Sequence, residues 1–372
     1  MKRRTILVLA GVVLVSVATL VVIRPARDPG PELLVGLTHT RFSADAWNDP
    51  GSVAKASGVL DTLDLQNQFI MGWGVPSPEP APGEYDWTAL DERVDLMRRS
   101  GRPMVLTLCC APDWMKGGEA GQTDWSRIDE APLPAHYKAF ADLAAAVASR
   151  YPDVRYFQVW SELRGFYDRA ANTWDMAAYT RLYNLVYEAI KGVAPTAQVG
   201  GPYVVIDSWR SPGAGGHPSS LKGPWGVIDA RSLYALSYWL QHAVGAEFVS
   251  VDGGLAPRDA EPPTPVTVAV DKLVTLDSWL ATQTDLPIWW SELHMDAGGS
   301  PQDEQPTAAA TVVALQALET SGARVALLWC GERCGPDDSA PGLWTRTDQP
   351  GGGLPTLIMR DVWAVLGRTG AS

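Results

Sequence analysis

The 372-residue sequence has few histidines and no basic run beyond its first four residues. Only five histidines occur, in neither an H-E-x-x-H nor an H-x-H pattern, which disfavours a metal-dependent hydrolase. The formal net charge is −12. Because so acidic a chain has little with which to neutralise a phosphate backbone, we expect no nucleic-acid partner. We predict neither a metal nor a cofactor.

Cysteine is also scarce, with four residues in two close pairs: Cys109 with Cys110, and Cys330 with Cys334. Neither pair has the spacing of a zinc site, and no histidine lies near by in sequence. Disulfide bonds in an oxidising compartment are the better interpretation. The sequence leaves their pairing open.

The amino-terminal segment has the pattern of an export signal. Lys-Arg-Arg at residues 2–4 precedes an apolar stretch from Thr5 to Ile23. A stretch of about 19 residues can cross a bilayer, and no A-x-A cleavage site follows it. The pattern favours a signal anchor over a cleaved signal peptide in residues 1–23, then a stiff linker in 24–31 and one folded domain in 32–372. The positive flank stays inside, so we expect a membrane-anchored or secreted, extracytoplasmic domain.

Eight short, largely apolar runs alternate with longer helical patterns after the linker. Such runs are typical of parallel strands that helices cover. The runs are Leu33–Thr38, Gln68–Trp73, Pro103–Cys109, Arg155–Trp160, Gln198–Pro202, Phe248–Val251, Pro287–Ser291 and Arg324–Trp329. Eight alternations predict a closed (β/α)8 TIM barrel. An open doubly wound sheet is the alternative, disfavoured because no G-x-G-x-x-G pattern follows the first strand.

The helical patterns between these runs complete the predicted barrel. They are Gly51–Leu63, Asp86–Arg99, His136–Arg150, Met176–Val193, Ala230–Val244, Val266–Thr282, Thr307–Thr320 and Thr356–Leu366. The longest segment without a pattern is Tyr203–Gly226, which is rich in Gly, Pro and Ser. We interpret it as a functional loop, because long structureless loops are uncommon in compact domains.

Two glutamates, Glu162 and Glu292, directly follow the predicted fourth and seventh strands. Catalytic groups of (β/α)8 barrels stand at the carboxyl ends of strands. A lone glutamate there is more often an ion-paired structural residue, but two at one barrel mouth favour catalysis. Cleavage of a glycosidic bond requires one protonated and one ionised carboxyl group. The pair therefore predicts a glycosidase that acts on a carbohydrate substrate.

The segments around these glutamates resemble motifs of the clan A glycoside hydrolases. Val159–Glu162 resembles their strand-four motif, and Pro287–Glu292 their strand-seven motif. Glu79–Asp91 is similar to the E-P-x-x-G-x-Y-D-W-x-x-L-D segment after strand two of β-xylosidase, iduronidase and β-galactosidase relatives. The resemblance extends from about residue 33 to 366 and carries most of its specificity in the strand-four and post-strand-two segments.

The resemblance implies that Glu162 is the acid/base and Glu292 the nucleophile of a retaining enzyme. It places Trp329 under the sugar beside the cleaved bond. Other residues at or near strand ends are candidate substrate contacts: His39, Arg41, Trp73, Trp114, Trp160, Ser161, Tyr203, Asp252 and His294. We expect a monomer that meets a membrane only through its amino-terminal segment.

Three departures from the clan pattern leave the substrate open. Ser161 stands where relatives carry Asn, the usual strand-two Arg is absent around Gly72, and strand six ends in Asp252 where His and Tyr are common. These losses motivate an alternative function, a cell-surface barrel that binds glycans without cleaving them. The identity of the sugar, its anomer and exo or endo action stay open.

Overall fold

A computed structural model describes residues 32–40, 49–72, 74–211, 213, 216–263, 265–295, 303–332 and 341–368. Eight parallel strands close into a barrel in the order β1-β13-β12-β11-β7-β4-β3-β2. They are β1 (Leu34–Thr38), β2 (Gln66–Phe69), β3 (Met104–Leu108), β4 (Tyr156–Val159), β7 (Gln198–Val205), β11 (Phe248–Gly254), β12 (Ile288–His294) and β13 (Val325–Trp329). The predicted barrel is confirmed, and the open-sheet alternative is wrong because β1 pairs with β13 from end to end.

Eight α-helices among the described residues surround the barrel. They are α1 (Pro50–Leu60), α2 (Thr88–Arg99), α3 (Tyr137–Arg150), α4 (Met176–Val193), α5 (Ala230–His242), α6 (Val266–Gln283), α7 (Gln305–Ser321) and α8 (Leu357–Val365). Their apolar faces pack on the strands, as Leu182, Val186 and Ile190 of α4 do. Three short 3-10 helices, Asp113–Lys116, Trp125–Arg127 and Pro134–His136, lie between β3 and α3.

An apolar layer fills one part of the barrel interior. The rings of Phe248 and Trp289 stack with their centroids 4.0 Å apart, and the ring of Tyr156 meets the Trp289 ring edge-on at 4.9 Å. Gly200 leaves the room for this layer, since a Cβ there would lie 2.4 Å from the Phe248 ring. The layer is packed with side chains in the way expected of an eight-stranded barrel.

A closed ring of buried polar side chains lies two residues further along the strands. Asn67 Nδ2 donates to Thr38 Oγ1 at 3.1 Å, and Thr107 Oγ1 donates to Asn67 Oδ1 at 2.9 Å. Gln158 Nε2 donates to Thr107 Oγ1 at 3.2 Å, and Ser291 Oγ donates to Gln158 Oε1. Thr38 Oγ1 closes the ring on the backbone oxygen of Ser291 at 2.6 Å. A polar network satisfied in this way rigidifies the barrel below its mouth.

Two small antiparallel sheets extend from the loops that follow β4 and β7. β5 (Tyr167–Asp168) pairs with β6 (Thr173–Trp174), and β8 (Ser208–Trp209), β9 (Pro218–Gly223) and β10 (Gly226–Asp229) form the second sheet. The prediction of an irregular loop at Tyr203–Gly226 is therefore wrong. β9 alternates exposed and half-buried residues along its length, and its Gly- and Ser-rich composition concealed that alternation.

Cys109 and Cys110 form a disulfide between adjacent residues at the end of β3. Cys330 is also disulfide-bonded, and its partner lies outside the described residues. The apolar stretch from Thr5 to Ile23 lies outside them too, so the anchor, the linker and the domain boundaries stay predictions. Among the described helices, none combines the length and the hydropathy that a membrane span requires.

Candidate active site

Glu292 reaches the barrel mouth because β12 contains a β-bulge. Trp290 lies opposite Val251 of β11, whereas Glu292 lies opposite Asp252, so Ser291 is the extra residue. A bulge re-aims side chains that strict alternation would send to opposite faces. Ser291 joins the polar ring, and the next side chain, Glu292, is 3% exposed at the mouth.

Tyr203 comes from a second bulge, in β7. Pro202 lies opposite Ser250 and Val204 opposite Val251, which leaves Tyr203 as the extra residue. Its φ of 53° is in the left-handed region, which residues other than glycine adopt at a cost. The Tyr203 hydroxyl donates to Oε1 of Glu292. Burial raises the pKa of Tyr203 well above its usual range, so the hydroxyl keeps its proton and remains a donor.

His294 brings a positive charge to the same carboxylate. Its Nε2 lies 3.3 Å from Asp252 Oδ1 and 3.5 Å from Glu292 Oε2. Burial alone would lower the pKa of His294, but hydrogen bonds to the two carboxylates outweigh it and raise that pKa to about 10. The three side chains have ligand atoms within 4.8 Å of one another, the residue types that bind a metal ion. An imidazolium already supplies a positive charge between these carboxylates at neutral pH.

Glu162 lies in the turn that directly follows β4. The backbone is left-handed at Trp160, Glu162 and Leu163, with φ values of 71°, 50° and 53°. The Trp160 indole anchors the turn, because it packs edge-on against Phe140 and Phe166. Trp160 is fully buried. The prediction that it contacts substrate is corrected: it holds the strained turn in place.

The Glu162 carboxyl group has a different electrostatic environment from that of Glu292. Burial raises its pKa to about 8, the charges of Glu292 and Asp252 add to the rise, and Arg164 opposes it. Nε and Nη2 of Arg164 each lie 2.5 Å from Glu162 Oε2. Burial also raises the pKa of Glu292, but hydrogen bonds from His294 and Tyr203 oppose that rise. Glu162 therefore retains a proton near neutral pH, and the donors favour an ionised Glu292.

The remaining predicted contacts are divided between the mouth and the protein interior. Trp329, at the end of β13, is half-buried, and its ring centroid lies 5.6 Å from that of His294. His39 is buried, with Nε2 3.0 Å from Gln66 Oε1, and burial lowers its pKa to about 4, so it is neutral. Ser161 is buried as well. Arg41 and Trp73 lie outside the described residues.

Trp114 lies in the 3-10 helix Asp113–Lys116 after β3, where its indole contacts the motif segment after β2. Its Nε1 donates to the Glu79 backbone oxygen at 3.0 Å, and Oε1 of Glu79 accepts from the Gly83 backbone N–H at 2.9 Å. The second of these hydrogen bonds closes the turn between Glu79 and Gly83, and the first joins Trp114 to that turn. The segment that carried much of the clan resemblance therefore shapes a loop.

Four charged residues near the mouth were not predicted. Arg164 follows Glu162 by only two positions, and this closeness in sequence could have predicted their contact. Asp207, Arg258 and Lys272 line a cavity of about 320 Å³ that also exposes Glu162, Asp252 and His294. Lys272 interrupts the apolar face of α6 between Ala269 and Leu273, and a lone lysine on a buried face was the only sequence signal for it.

Solved structures share this fold. The GH39 enzyme from Xanthomonas axonopodis pv. citri has a TM-score of 0.59 at 17% identity, over 90% of this chain and 66% of its own. An exo-β-1,4-mannosidase from Opitutaceae bacterium strain TAV5 has a TM-score of 0.60 at 18% identity, over 90% and 59%. A GH39 β-xylosidase from Caulobacter crescentus has a TM-score of 0.58 at 16% identity, over 93% and 73%.

The chain spans only about two thirds of the length of these structures. No protein-family model and no curated protein sequence matches it. Because the identities are below 20%, the likeness establishes the architecture, and function has to be argued from the site. The barrel has the fold of the clan A glycoside hydrolases, as its sequence motifs predicted.

Proposed function

We propose that this protein is a retaining glycoside hydrolase, with Glu162 as acid/base and Glu292 as nucleophile. The observation that carries the proposal is the unequal environment of two carboxyl groups in one barrel mouth. The pKa of Glu162 is raised to about 8, while Glu292 accepts a hydrogen bond from Tyr203 and has Nε2 of His294 3.5 Å from its Oε2. The first environment favours a protonated carboxyl group, and the donors around Glu292 favour its ionised form, the division that glycosidic cleavage requires.

In this proposal each group has its own step in a double displacement. Glu162 protonates the glycosidic oxygen of the leaving group while Glu292 attacks the anomeric carbon and forms a glycosyl-enzyme. Glu162, now ionised, takes a proton from the water that releases the sugar. Tyr203 and His294 fix the two oxygens of Glu292 from different sides, so that the nucleophile is oriented before substrate arrives.

The substrate in this proposal is an extracellular or cell-wall polysaccharide or oligosaccharide. The exported location rests on the apolar segment from Thr5 to Ile23 and on the disulfide between Cys109 and Cys110, a bond typical of oxidising compartments. Cell fractionation tests this part: the full chain should be found in the membrane or the medium. Its recovery in the cytoplasm alone would contradict it.

The decisive experiment compares the wild type with Glu292→Ala on aryl glycosides and pooled polysaccharides. We expect the wild type to release sugar with retained anomeric configuration, read by NMR. The variant should lose about 10⁴-fold or more in kcat because no covalent intermediate can form. A fluoro-sugar inactivator should label Glu292 in the wild type. Labelling of Glu162 would reverse the roles, and an inverted product would exclude double displacement.

The second candidate function is glycan binding without cleavage. The guanidinium of Arg164 contacts the Glu162 carboxylate directly, and such an ion pair favours the ionised form, which has no proton to give to a leaving group. Under this alternative, the wild type and Glu292→Ala would both bind glycans, and neither would release sugar from any substrate.

A further inference from the structure

The cavity beside Glu162 has an unusual set of charges. It lies between the residues that follow β7, the end of β11 and helix α6, and has a volume of about 320 Å³. This is at the lower end of the range of small-molecule sites, about 300–1,000 Å³. Its charged lining consists of Glu162, Asp207, Asp252, Arg258, Lys272 and His294. An occupant of the cavity would contact Glu162 and several fixed charges at once.

The acidic groups of this lining each have a cation in contact. Arg258 Nη1 lies 3.0 Å from Asp207 Oδ2, and His294 Nε2 lies 3.3 Å from Asp252 Oδ1. Glu162 has its own cation in Arg164 (2.5 Å). The carboxylates in the cavity wall are therefore matched one by one with positive groups other than Lys272.

Among the described residues, Lys272 is a cation of this cavity lining that contacts no carboxylate. Its side chain, on the inner face of α6, is 1% exposed. Among the described residues its ammonium donates to the Ser208 hydroxyl at 3.4 Å, and no carboxylate lies within 4.0 Å of it. Burial lowers the pKa of Lys272 to about 8, while the more distant charges of Asp207 and Asp252 oppose that change. The group is thus charged at neutral pH and has donors to spare.

Burial of an ammonium group without a contacting anion costs free energy. A buried charge of this kind in a cavity therefore indicates a site where a ligand supplies the opposite charge. An uncharged hydroxyl would satisfy one donor of Lys272 and leave its charge uncompensated. A carboxylate or sulfate group would satisfy both, because it is an acceptor with a full negative charge. Arg258 adds no net charge to the cavity, because Asp207 neutralises it at 3.0 Å.

We propose that Lys272 binds an oxyanion carried by the sugar substrate, so that the cavity is a subsite for an acidic sugar. The oxyanion is the carboxylate of a uronic acid or a sulfate ester. This inference rests on the proposed function in taking the ligand to be a sugar, and it adds the chemical class of that sugar.

The test measures binding of free monosaccharides, which requires no turnover. Isothermal titration calorimetry on the full chain compares glucuronate, galacturonate and glucose 6-sulfate with glucose and galactose. We expect an acidic sugar to bind about tenfold or more tightly than its neutral parent, since a hydrogen bond to a charged group is worth about that factor. The uronate and sulfate arms distinguish the two sources of the oxyanion.

Variants of Lys272 assign the preference to this residue. Lys272→Met keeps the length and removes the charge, so the preference should fall below about threefold, consistent with the loss of one charge-assisted hydrogen bond. Lys191→Met is the matched control, because Lys191 pairs with Glu247 at 2.8 Å on the outer helix α4. That control should keep the full preference. Thermal melting by circular dichroism checks that each variant folds, and Lys272→Gln replaces Lys272→Met if the latter does not.

Equal affinity of the wild type for acidic and neutral sugars would overturn the inference, and so would a preference that survives loss of Lys272. The two proposals fail separately. Binding of acidic sugars without any hydrolysis would refute the glycosidase and leave the subsite standing. Hydrolysis of neutral glycosides, with no preference for acidic sugars, would do the reverse.

Discussion

The two carboxyl groups at the barrel mouth are held in different ways. Glu292 lies two residues before the end of the bulged strand β12 and is 3% exposed, with Tyr203 on one oxygen and His294 near the other. Glu162 lies outside the regular strand, in a turn with left-handed backbone, and its side chain is 17% exposed. Its contact is the side chain of a single arginine, Arg164, which follows in the same turn, rather than two groups on strands.

This difference matches the two chemical roles that we propose for the glutamates. A nucleophile has to approach one carbon atom along one line, and a strand with fixed donors holds it within the small tolerance that such attack allows. An acid/base exchanges its proton first with a leaving group and then with water, so it has to face the space that both occupy. Glu162 lines the cavity beside the mouth, whereas Glu292 does not.

After Glu292→Ala, the largest expected effect comes from removing the proposed acid/base, Glu162. Glu162→Ala should reduce kcat about 10²–10⁴-fold on substrates with poor leaving groups. Substrates with good leaving groups should form the glycosyl-enzyme almost normally, because they need little protonation. Azide should then raise turnover by attacking that intermediate in place of water. Steady-state kinetics with a series of aryl glycosides, with and without azide, measure both effects.

The matched control for this series is Glu130→Ala, which removes a surface carboxylate paired with Arg127. It should leave the kinetics unchanged. An equal loss on good and poor leaving groups, with no response to azide, would show that Glu162 is not the acid/base, and the contrast between the two glutamates would disappear.

An intermediate effect is expected at His294, the cation beside the nucleophile. His294→Gln removes the positive charge that stabilises ionised Glu292, so the pKa of Glu292 should rise. The acidic limb of the kcat/KM profile should then move to higher pH, because the nucleophile is lost to protonation sooner as pH falls. The loss at the acidic end should be about 10–100-fold, the value of a hydrogen bond to a charged group.

His242→Gln is the control, since His242 stacks on Tyr238 at the surface of α5. It should shift neither limb. If His294→Gln lowered activity equally at every pH, His294 would contact the sugar instead of setting the charge of Glu292.

The fold was predictable because most barrel strands are short, largely apolar runs between turn-forming residues. The exception is β2, Gln66–Phe69, where three of four residues are polar and the predicted run began two residues too late. The bulges at Tyr203 and Ser291 could not be predicted, because a bulge is defined by the residues of the partner strand. That strand is β11 in both cases. Sequence placed Tyr203 after its strand, whereas β7 continues to Val205. Inspection of the residues at predicted strand ends therefore identified both glutamates. It could not explain why the Tyr203 hydroxyl contacts Glu292.

Burial was the other property that sequence could not supply. Trp160 is two residues from Glu162 in sequence, yet its indole is buried against Phe140 of α3 and against Phe166, because the backbone turns with a left-handed φ immediately after β4. Lys272 was passed over for the opposite reason: a single lysine in an apolar pattern is usually at the solvent edge of the helix. Here Lys272 lies instead in the wall of a cavity, together with residues at and after the ends of β7 and β11.

The smallest expected effect, and the one that separates the two candidate functions, comes from Arg164. The Arg164 charge lowers the pKa of Glu162 against the rise caused by burial. In Arg164→Gln that pKa should climb further above 8, and the basic limb of kcat/KM should move to higher pH. The rate at the optimum should change by less than about tenfold, since a partly exposed ion pair is worth about 1 kcal/mol or less. Arg127→Gln, which removes a comparably exposed arginine paired with Glu130, should leave the profile unchanged. If the wild type is inactive and Arg164→Gln gains hydrolysis, Arg164 holds Glu162 ionised, and the native protein binds glycans without cleaving them.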